Sequence, residues 1–403
     1  MRAVFFDKDI PRVLITKFAA RYANWLLFTG LNAVKYRTDL PDPELPADDW
    51  VRVRNIACGV CGTESSFFKA TTGVNSAFEP IPGSRRTFLG HENVGEVVEV
   101  GAAVTDLKVG DRVTIRAYMA GCDTKGITPR CRYCEAGDYN FCLNYGADPP
   151  VKLPDTGAGL ADSFIYPARG LAKIYPELTN DQAVMVEPSC VSIHAALRVP
   201  PEPGDKVLVM GCGTIGLGLV QALKIVQPDC EIWVLDRIRN KLEFALRLGA
   251  DHVLEGDIYE ATSRATGGSP VYVGMGQNKY FFGGFDKVYD CIGGNWSNHT
   301  AVRLLRARGT LAKIGHHMNA ITYDESPVWW QELNLVGIDA HGMEEWEGRR
   351  LYTFDLAQEW IRDGLYSVEG FITHRFKLDD YKEALRLALK NPPDVVKIVI
   401  DCN

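Results

Sequence analysis

Two periodicities divide the chain. Up to about residue 187, short Val- and Ile-rich runs broken by Gly and Pro, as at 49–54 and 95–101, predict antiparallel strands joined by turns. From about 188 to 344 the pattern changes. Apolar strands are expected at 206–210, 231–235, 287–290, 310–314 and 334–338, with helical segments between them, as in a parallel α/β sheet. Beyond 345, two amphipathic helices near 351–362 and 379–390 precede a last apolar strand at 395–400. The expected domains are therefore 1–187, with 345–403 returning to it, and 188–344.

Two stretches interrupt these patterns. Residues 18–35 are apolar and aromatic, with Trp25, Leu26, Leu27 and Phe28, and Lys17 and Arg21 stand beside or within them. A helix packed on the protein or against another subunit suits them better than an interfacial membrane helix. Residues 266–285, rich in Gly, Tyr and Phe, read as a surface hairpin.

Composition narrows the class. The 403 residues are 46% hydrophobic and 24% charged, and the formal net charge is −7. That acidic balance disfavours a nucleic-acid partner, which needs an excess of Lys and Arg on one face. No apolar run reaches the ~18 residues of a spanning helix. The N-terminus, Met1 to Asp9, reads as a strand followed by charges and not as a secretory signal. A cytoplasmic enzyme is expected, and its odd number of cysteines, 11, suits thiols or metal ligands.

The strand at 206–210 runs into Gly211-Cys212-Gly213-Thr214-Ile215-Gly216, and a helix is expected at 217–225. An acid, Asp236, ends the next strand, 20 residues after Gly216. This context makes the glycines a dinucleotide fingerprint. Gly211 allows the turn, Gly213 lets the backbone approach a pyrophosphate, and Gly216 lets helix and strand pack closely. The pyrophosphate rests on the helix N-terminus. Asp236 accepts from ribose hydroxyls and repels a 2′-phosphate, which favours NAD, although Arg237 beside it weighs the other way. Thr214, Ile215, Lys241, Ile292 and Gly315 complete the candidate cofactor contacts.

Cysteine spacing carries a second signal. Cys131, Cys134 and Cys142 can converge on one ion in a Gly- and Pro-containing loop, with Cys122 as candidate fourth ligand of a tetrahedral structural zinc. The other reading is a set of plain thiols. A different group has the composition of an open catalytic zinc site: Cys58-Gly59-Val60-Cys61-Gly62-Thr63, Gly90-His91-Glu92 and Glu187-Pro188. Singly, Cys58 and Cys61 read equally as core thiols and His91 as a turn histidine.

Taken together, these motifs, with Gly95 and Gly110-Asp111-Arg112-Val113, resemble the zinc-dependent medium-chain dehydrogenase/reductase family, and the match covers most of the chain in order. The resemblance implies an α/β protein with a GroES-like β-rich catalytic domain and a Rossmann doubly wound parallel-sheet domain. It makes Cys61 and His91 zinc ligands and Glu187 the third. Glu there resembles the polyol, threonine and glucose dehydrogenase branch. Glu92 becomes an alternate ligand or an outer carboxylate that tunes the metal, and Thr63 bonds the substrate oxygen and starts the proton path. The implied reaction is zinc-assisted hydride transfer between NAD and a small alcohol, polyol or sugar-like substrate in a cleft between the domains, in a homodimer or homotetramer.

The chain departs from the family at three places. Glu64 replaces the usual Asp, Ser66 stands where a relay His is common, and Thr128 falls at the first structural-zinc cysteine. The relay then runs through water, Ser66, His316 or His317, and Cys122 serves only if its loop folds back. The competing readings are a zinc-independent carbonyl or enoyl reductase and a catalytically silent NAD-binding protein.

Overall fold

The computed structural model describes residues 1–71, 86–116, 121–147, 155–316 and 320–402. They form two compact units, 1–187 with 345–403, and 188–344. His317 lies outside the described residues.

The first unit is organised around the strand Trp50–Gly59. It pairs antiparallel with Glu92–Val100, Lys397–Asp401 and Ser163–Pro167. The sheet continues to Arg112–Ile115 and Leu171–Lys173 on one side and to Ile372–Lys377 on the other. Alternation along Trp50–Gly59 sends Val51 and Val53 into a core with Val97, Phe164 and Tyr166. Register matters more here than shape. Gly59 stands opposite Glu92, and Cys58 opposite Asn93, so the residues that follow one strand meet those that begin the other. A small antiparallel sheet of Val34–Arg37, Ala3–Asp7 and Arg86–Phe88 lies in the same unit.

The second unit holds a six-stranded parallel sheet in the order His252–Val253, Glu231–Leu235, Lys206–Met210, Phe285–Asp290, Leu305–Lys313, Asn334–Gly337. From the middle outward, chain order rises on both sides: Lys206–Met210, Glu231–Leu235, His252–Val253 one way and Phe285–Asp290, Leu305–Lys313, Asn334–Gly337 the other. The reversal falls between Lys206–Met210 and Phe285–Asp290, where doubly wound sheets bind their ligands. Val207 to Met210 are fully buried, as expected of a strand covered on both faces.

Three expectations change in detail. The helix after the glycine turn begins at Thr214, not 217, with Gly213 as its N-cap, so Gly216 lies inside it. The 18–35 stretch is no single insertion. A helix already runs over Ile10–Tyr22, started by Asp9, whose carboxylate accepts the Arg12 N–H at 3.1 Å, and a 3₁₀ turn Asn24–Phe28 follows. Within 266–285 the hairpin of Tyr272–Val273 and Lys279–Tyr280 is present, but Phe281 is fully buried and Phe285 already belongs to the central sheet. No helix among the described residues is long and apolar enough to cross a membrane.

A buried polar chain stitches the first unit together. Asn55 Nδ2 donates to Ala158 O at 2.8 Å and to Ala161 O at 2.9 Å. Asn93 Nδ2 donates to Asn55 Oδ1 at 3.0 Å, and the Ile115 N–H donates to Asn93 Oδ1 at 3.1 Å. Asn55→Ala leaves two buried groups and one half-buried carbonyl unpaired and lowers the unfolding free energy by about 2–4 kcal/mol. Guanidinium denaturation reads this directly, and an unchanged midpoint would mean that the chain does not brace the sheet.

Candidate active site and metal centres

Cys61 follows the end of Trp50–Gly59, and His91 immediately precedes Glu92–Val100. The register of those strands therefore brings Cys61, His91 and Glu92 together, with one ligand atom of each within 4.8 Å of the others. Cys61 is also the N-cap of the helix Gly62–Phe68. Glu64 sits in its first turn, 1% exposed, and one of its oxygens accepts the Cys61 N–H at 2.9 Å. The other accepts the Gly90 N–H at 3.2 Å and lies 3.2 Å from His91 Nδ1. With Nδ1 held by a carboxylate, Nε2 is the ring nitrogen suited to a metal. Burial works against charge on His91, but Glu64 and Cys61 outweigh it and push its pKa well above the usual value. The same pairing holds Glu64 below the carboxylate range despite its burial.

Glu92 is buried and tied to the ammonium of Lys397, itself buried, which also donates to Val60 O at 3.4 Å. Lys397 was absent from the sequence reading. Its only signal there is a single cation in the last apolar strand. Thr63 Oγ1 lies 3.6 Å from Cys61 Sγ. Glu187, in the helix Val186–Arg198, is buried but outside the three-atom cluster. Burial, reinforced by Glu92 and Glu64 and opposed by His91 and Lys397, pushes its carboxyl up to about 7. Cys61, Glu64, Glu92 and Glu187 outnumber His91 and Lys397, and such a surplus of buried donors and acids suits a divalent cation. Ser66 is half-buried and His316 exposed.

The second cluster joins all four expected cysteines. Cys122, Cys131, Cys134 and Cys142 offer sulfurs within 4.8 Å of one another, and all are free thiols. The segment after Cys122 does fold back. The Cys131 N–H donates to Cys122 Sγ at 3.4 Å, Asn144 Nδ2 donates to the same sulfur at 3.3 Å, and the Cys122 N–H donates to Cys134 Sγ at 3.5 Å. Such donors stabilise thiolates. Burial works to raise the Cys131 thiol, but the backbone N–H groups of Cys134 and Leu143 bring it down to about 6. Cys122 Sγ and Cys142 Sγ are 3.7 Å apart. Tetrahedral zinc with Zn–S bonds of about 2.3 Å needs sulfurs about 3.8 Å apart. The donor set fits a closed zinc site.

In the second unit, Gly211 takes a positive φ of 92° at the end of its strand. A Cβ on Gly216 would fall 1.8 Å from Gly211 O, whereas a Cβ on Gly213 would meet nothing within 4 Å. The helix Thr214–Val226 has no side-chain N-cap bond and no acid in its first turn, so its own residues leave the N-terminal dipole uncompensated, with Thr214 and Ile215 half-buried at that end. Asp236 accepts the Cys212 N–H at 2.7 Å and the Ile238 N–H at 2.9 Å, which fixes its carboxylate beside the glycine turn. Lys241 is buried near it. Burial lowers its pKa while Asp236 opposes the shift. Ile292 lies against Gly211, and Gly315 against Gly293, where neighbouring strands end. Arg237 is exposed. An uncompensated helix N-terminus behind two close-packed glycines, flanked by a fixed acid, fits a dinucleotide.

Known proteins share this organisation. A family model for the alcohol dehydrogenase GroES-like domain matches residues 47–176, and one for zinc-binding dehydrogenases matches 214–351. A sorbitol dehydrogenase of Arabidopsis thaliana is 31% identical over 360 residues, 88% of this chain and 87% of that protein. An L-idonate 5-dehydrogenase of Vitis vinifera is 29% identical over 377 residues, 91% of each. The crystal structure of a 2R,3R-butanediol dehydrogenase from Bacillus subtilis superposes with a TM-score of 0.69 at 23% identity, over 92% of this chain and 96% of that one, and so shares the fold.

Replacing one sulfur tests the closed site. Cys122→Ser is expected to lower the zinc content of the purified protein by about one equivalent. It also lowers the melting temperature, by about 2–4 °C per kcal/mol lost. Elemental analysis and a thermal melt measure both. Full retention of metal would mean that Cys122 is not a ligand.

Proposed function

The chain belongs to the zinc-dependent medium-chain alcohol dehydrogenase family, and on that premise we propose that this oxidoreductase interconverts a polyol- or sugar-type alcohol and its carbonyl with NAD. The observation that carries the reading is the cluster of half-buried Cys61 and His91 with buried Glu92, braced by Glu64 and Lys397. A zinc-free reductase or a silent binding protein has no need of that donor set. The sorbitol and idonate dehydrogenases that the chain resembles point to the substrate class.

Cys61, His91 and Glu92 would hold the zinc, with Glu187 near enough to act on His91 and Glu92 electrostatically. When bound, zinc supplies Lewis acidity toward the substrate oxygen, and the nicotinamide supplies or accepts the hydride. The protein's own groups do the rest. Glu64 locks the orientation of His91 and of the Cys61 backbone at once. Lys397 holds Glu92 and balances its charge. Thr63, beside Cys61 Sγ, takes or returns the proton of the substrate hydroxyl, and Ser66, one turn along the same helix, is the next group toward solvent. In the other unit, the Thr214–Val226 helix N-terminus binds the pyrophosphate, and Asp236 binds the ribose and repels a 2′-phosphate.

Two coarser properties follow the same reading. The outermost strand, Asn334–Gly337, leaves an open edge with Leu335 and Val336 half-exposed, which suits pairing in a homodimer or homotetramer. Eleven thiols without a disulfide suit the reducing cytoplasm.

Cys61→Ala or His91→Ala is expected to lower kcat on a polyol panel by about 10³-fold, the several kcal/mol a metal contributes. NADH binding, followed by fluorescence titration, is retained. Wild-type turnover in either variant would refute the zinc assignment. Asp236→Asn keeps an acceptor but removes the charge, so the preference for NAD over NADP falls by about tenfold, or 1.4 kcal/mol. An unchanged ratio of kcat/KM values would remove Asp236 from cofactor selection.

A further inference from the structure

The helix Ile10–Tyr22 is inside out. It buries Thr16 and Ala19, each 1% exposed, and turns its large apolar side chains outward: Leu14 is 61% exposed and Phe18 57%. Ile10, Leu14, Phe18 and Tyr22 stand four residues apart and so share one face. The 3₁₀ turn that follows extends the face with Trp25, 70% exposed, while Leu26, Leu27 and Phe28 pack inward. Nothing among the described residues covers these side chains. The face is therefore a built feature and not a frayed end: Asp9 caps its helix, and its inner side is anchored in the core through Ala19 and Leu27.

Charge identifies what would cover it. The helix carries Lys17 and Arg21 beside its exposed face and no acid, in a chain whose net charge is −7; its third cation, Arg12, lies on the inner side and donates to Gly30 O at 2.9 Å. Arg21 lies over the Tyr22 ring at 5.2 Å, on the exposed side. Beyond the turn, Lys382 donates to Phe28 O, and Arg386 covers the Phe28 ring at 4.2 Å. Two acids nearby are engaged, Asp9 as the cap and Glu383 with Arg386, whose charge it offsets. We infer that this face, from Ile10 to Trp25, rests flat on an anionic lipid bilayer surface, with Leu14, Phe18 and Trp25 inserted among the head groups. Apolar and aromatic side chains in one plane, with Lys and Arg at its edge, are what such a surface binds. Trp and Tyr favour that depth, and Lys and Arg reach from it to phosphate. A second copy of the chain fits less well, since a two-fold contact sets the same basic patch on both sides and supplies no opposite charge for Lys17 and Arg21.

The test is co-sedimentation of the full-length, zinc-loaded protein with vesicles of phosphatidylcholine alone or with one third phosphatidylglycerol. Binding is expected to the anionic vesicles, with little to the neutral ones, and high salt releases it. Leu14→Glu with Phe18→Glu is expected to weaken the partition by at least about tenfold, because both insert a charge into the apolar face. Zinc content, melting temperature and the mass from light scattering stay unchanged. Arg21→Glu, which leaves the apolar face intact, weakens binding too and serves if the double variant does not fold. Wild-type protein that stays in the supernatant with anionic vesicles overturns the proposal. So does a double variant that binds as wild type. A double variant of lower mass, with no vesicle binding by the wild type, assigns the face to a second copy.

Discussion

Everything around the proposed catalytic metal is shaped by the difficulty of burying charge. A buried ion that has lost its water is destabilised by several kcal/mol unless a counter-charge and hydrogen bonds replace the solvent. Glu64, Glu92 and Glu187 are all nearly inaccessible, with the Cys61 thiol beside them. Two of the three acids are answered by something specific. Glu64 receives two backbone N–H groups and the His91 ring, and Glu92 receives the Lys397 ammonium. Glu187 has no such dedicated partner among the described residues, and its burial raises its pKa. These answers come from distant parts of the chain. Lys397 lies in the last strand, which pairs with Trp50–Gly59, so the return of 345–403 to the first unit delivers the cation that lets Glu92 be buried. Folding of the C-terminal segment and charge balance at the site are one event.

What could be read from the sequence, and what could not, follows from range. The dinucleotide turn was legible because its parts are local: a strand, spaced glycines, a helix and an acid one strand later. Only the helix start was misplaced, because Thr214 to Gly216 read as turn residues until Gly213 is seen as the cap. The cysteine cluster was legible for the same reason, although Cys122 depended on a fold-back that spacing alone does not show. Lys397 was not legible, since its partner is 305 residues away and nothing local marks a lysine as buried. The Ile10–Tyr22 helix was hidden by its inversion. Asp9 and Pro11 are a good helix start, but large apolar residues outside and Thr16 and Ala19 inside blur the amphipathic signal that would announce it.

Glu64 shows how a departure from a family pattern is resolved by geometry. Its position is the third of the Gly62–Phe68 helix, where a glutamate reaches back to the N–H of the capping residue, here Cys61. Its second oxygen must at the same time meet His91 and Gly90 across the sheet. An aspartate is one methylene shorter, so from this backbone position it reaches one partner or the other. The longer acid lets a single carboxylate set the directions of both Cys61 and His91, which lie next to the ends of different strands and have no covalent reason to converge. Residue 64 therefore changes the manner of support and leaves the donor set intact. The lost relay histidine at Ser66 is a separate matter, because it touches the proton's exit and not the positions of Cys61, His91 and Glu92.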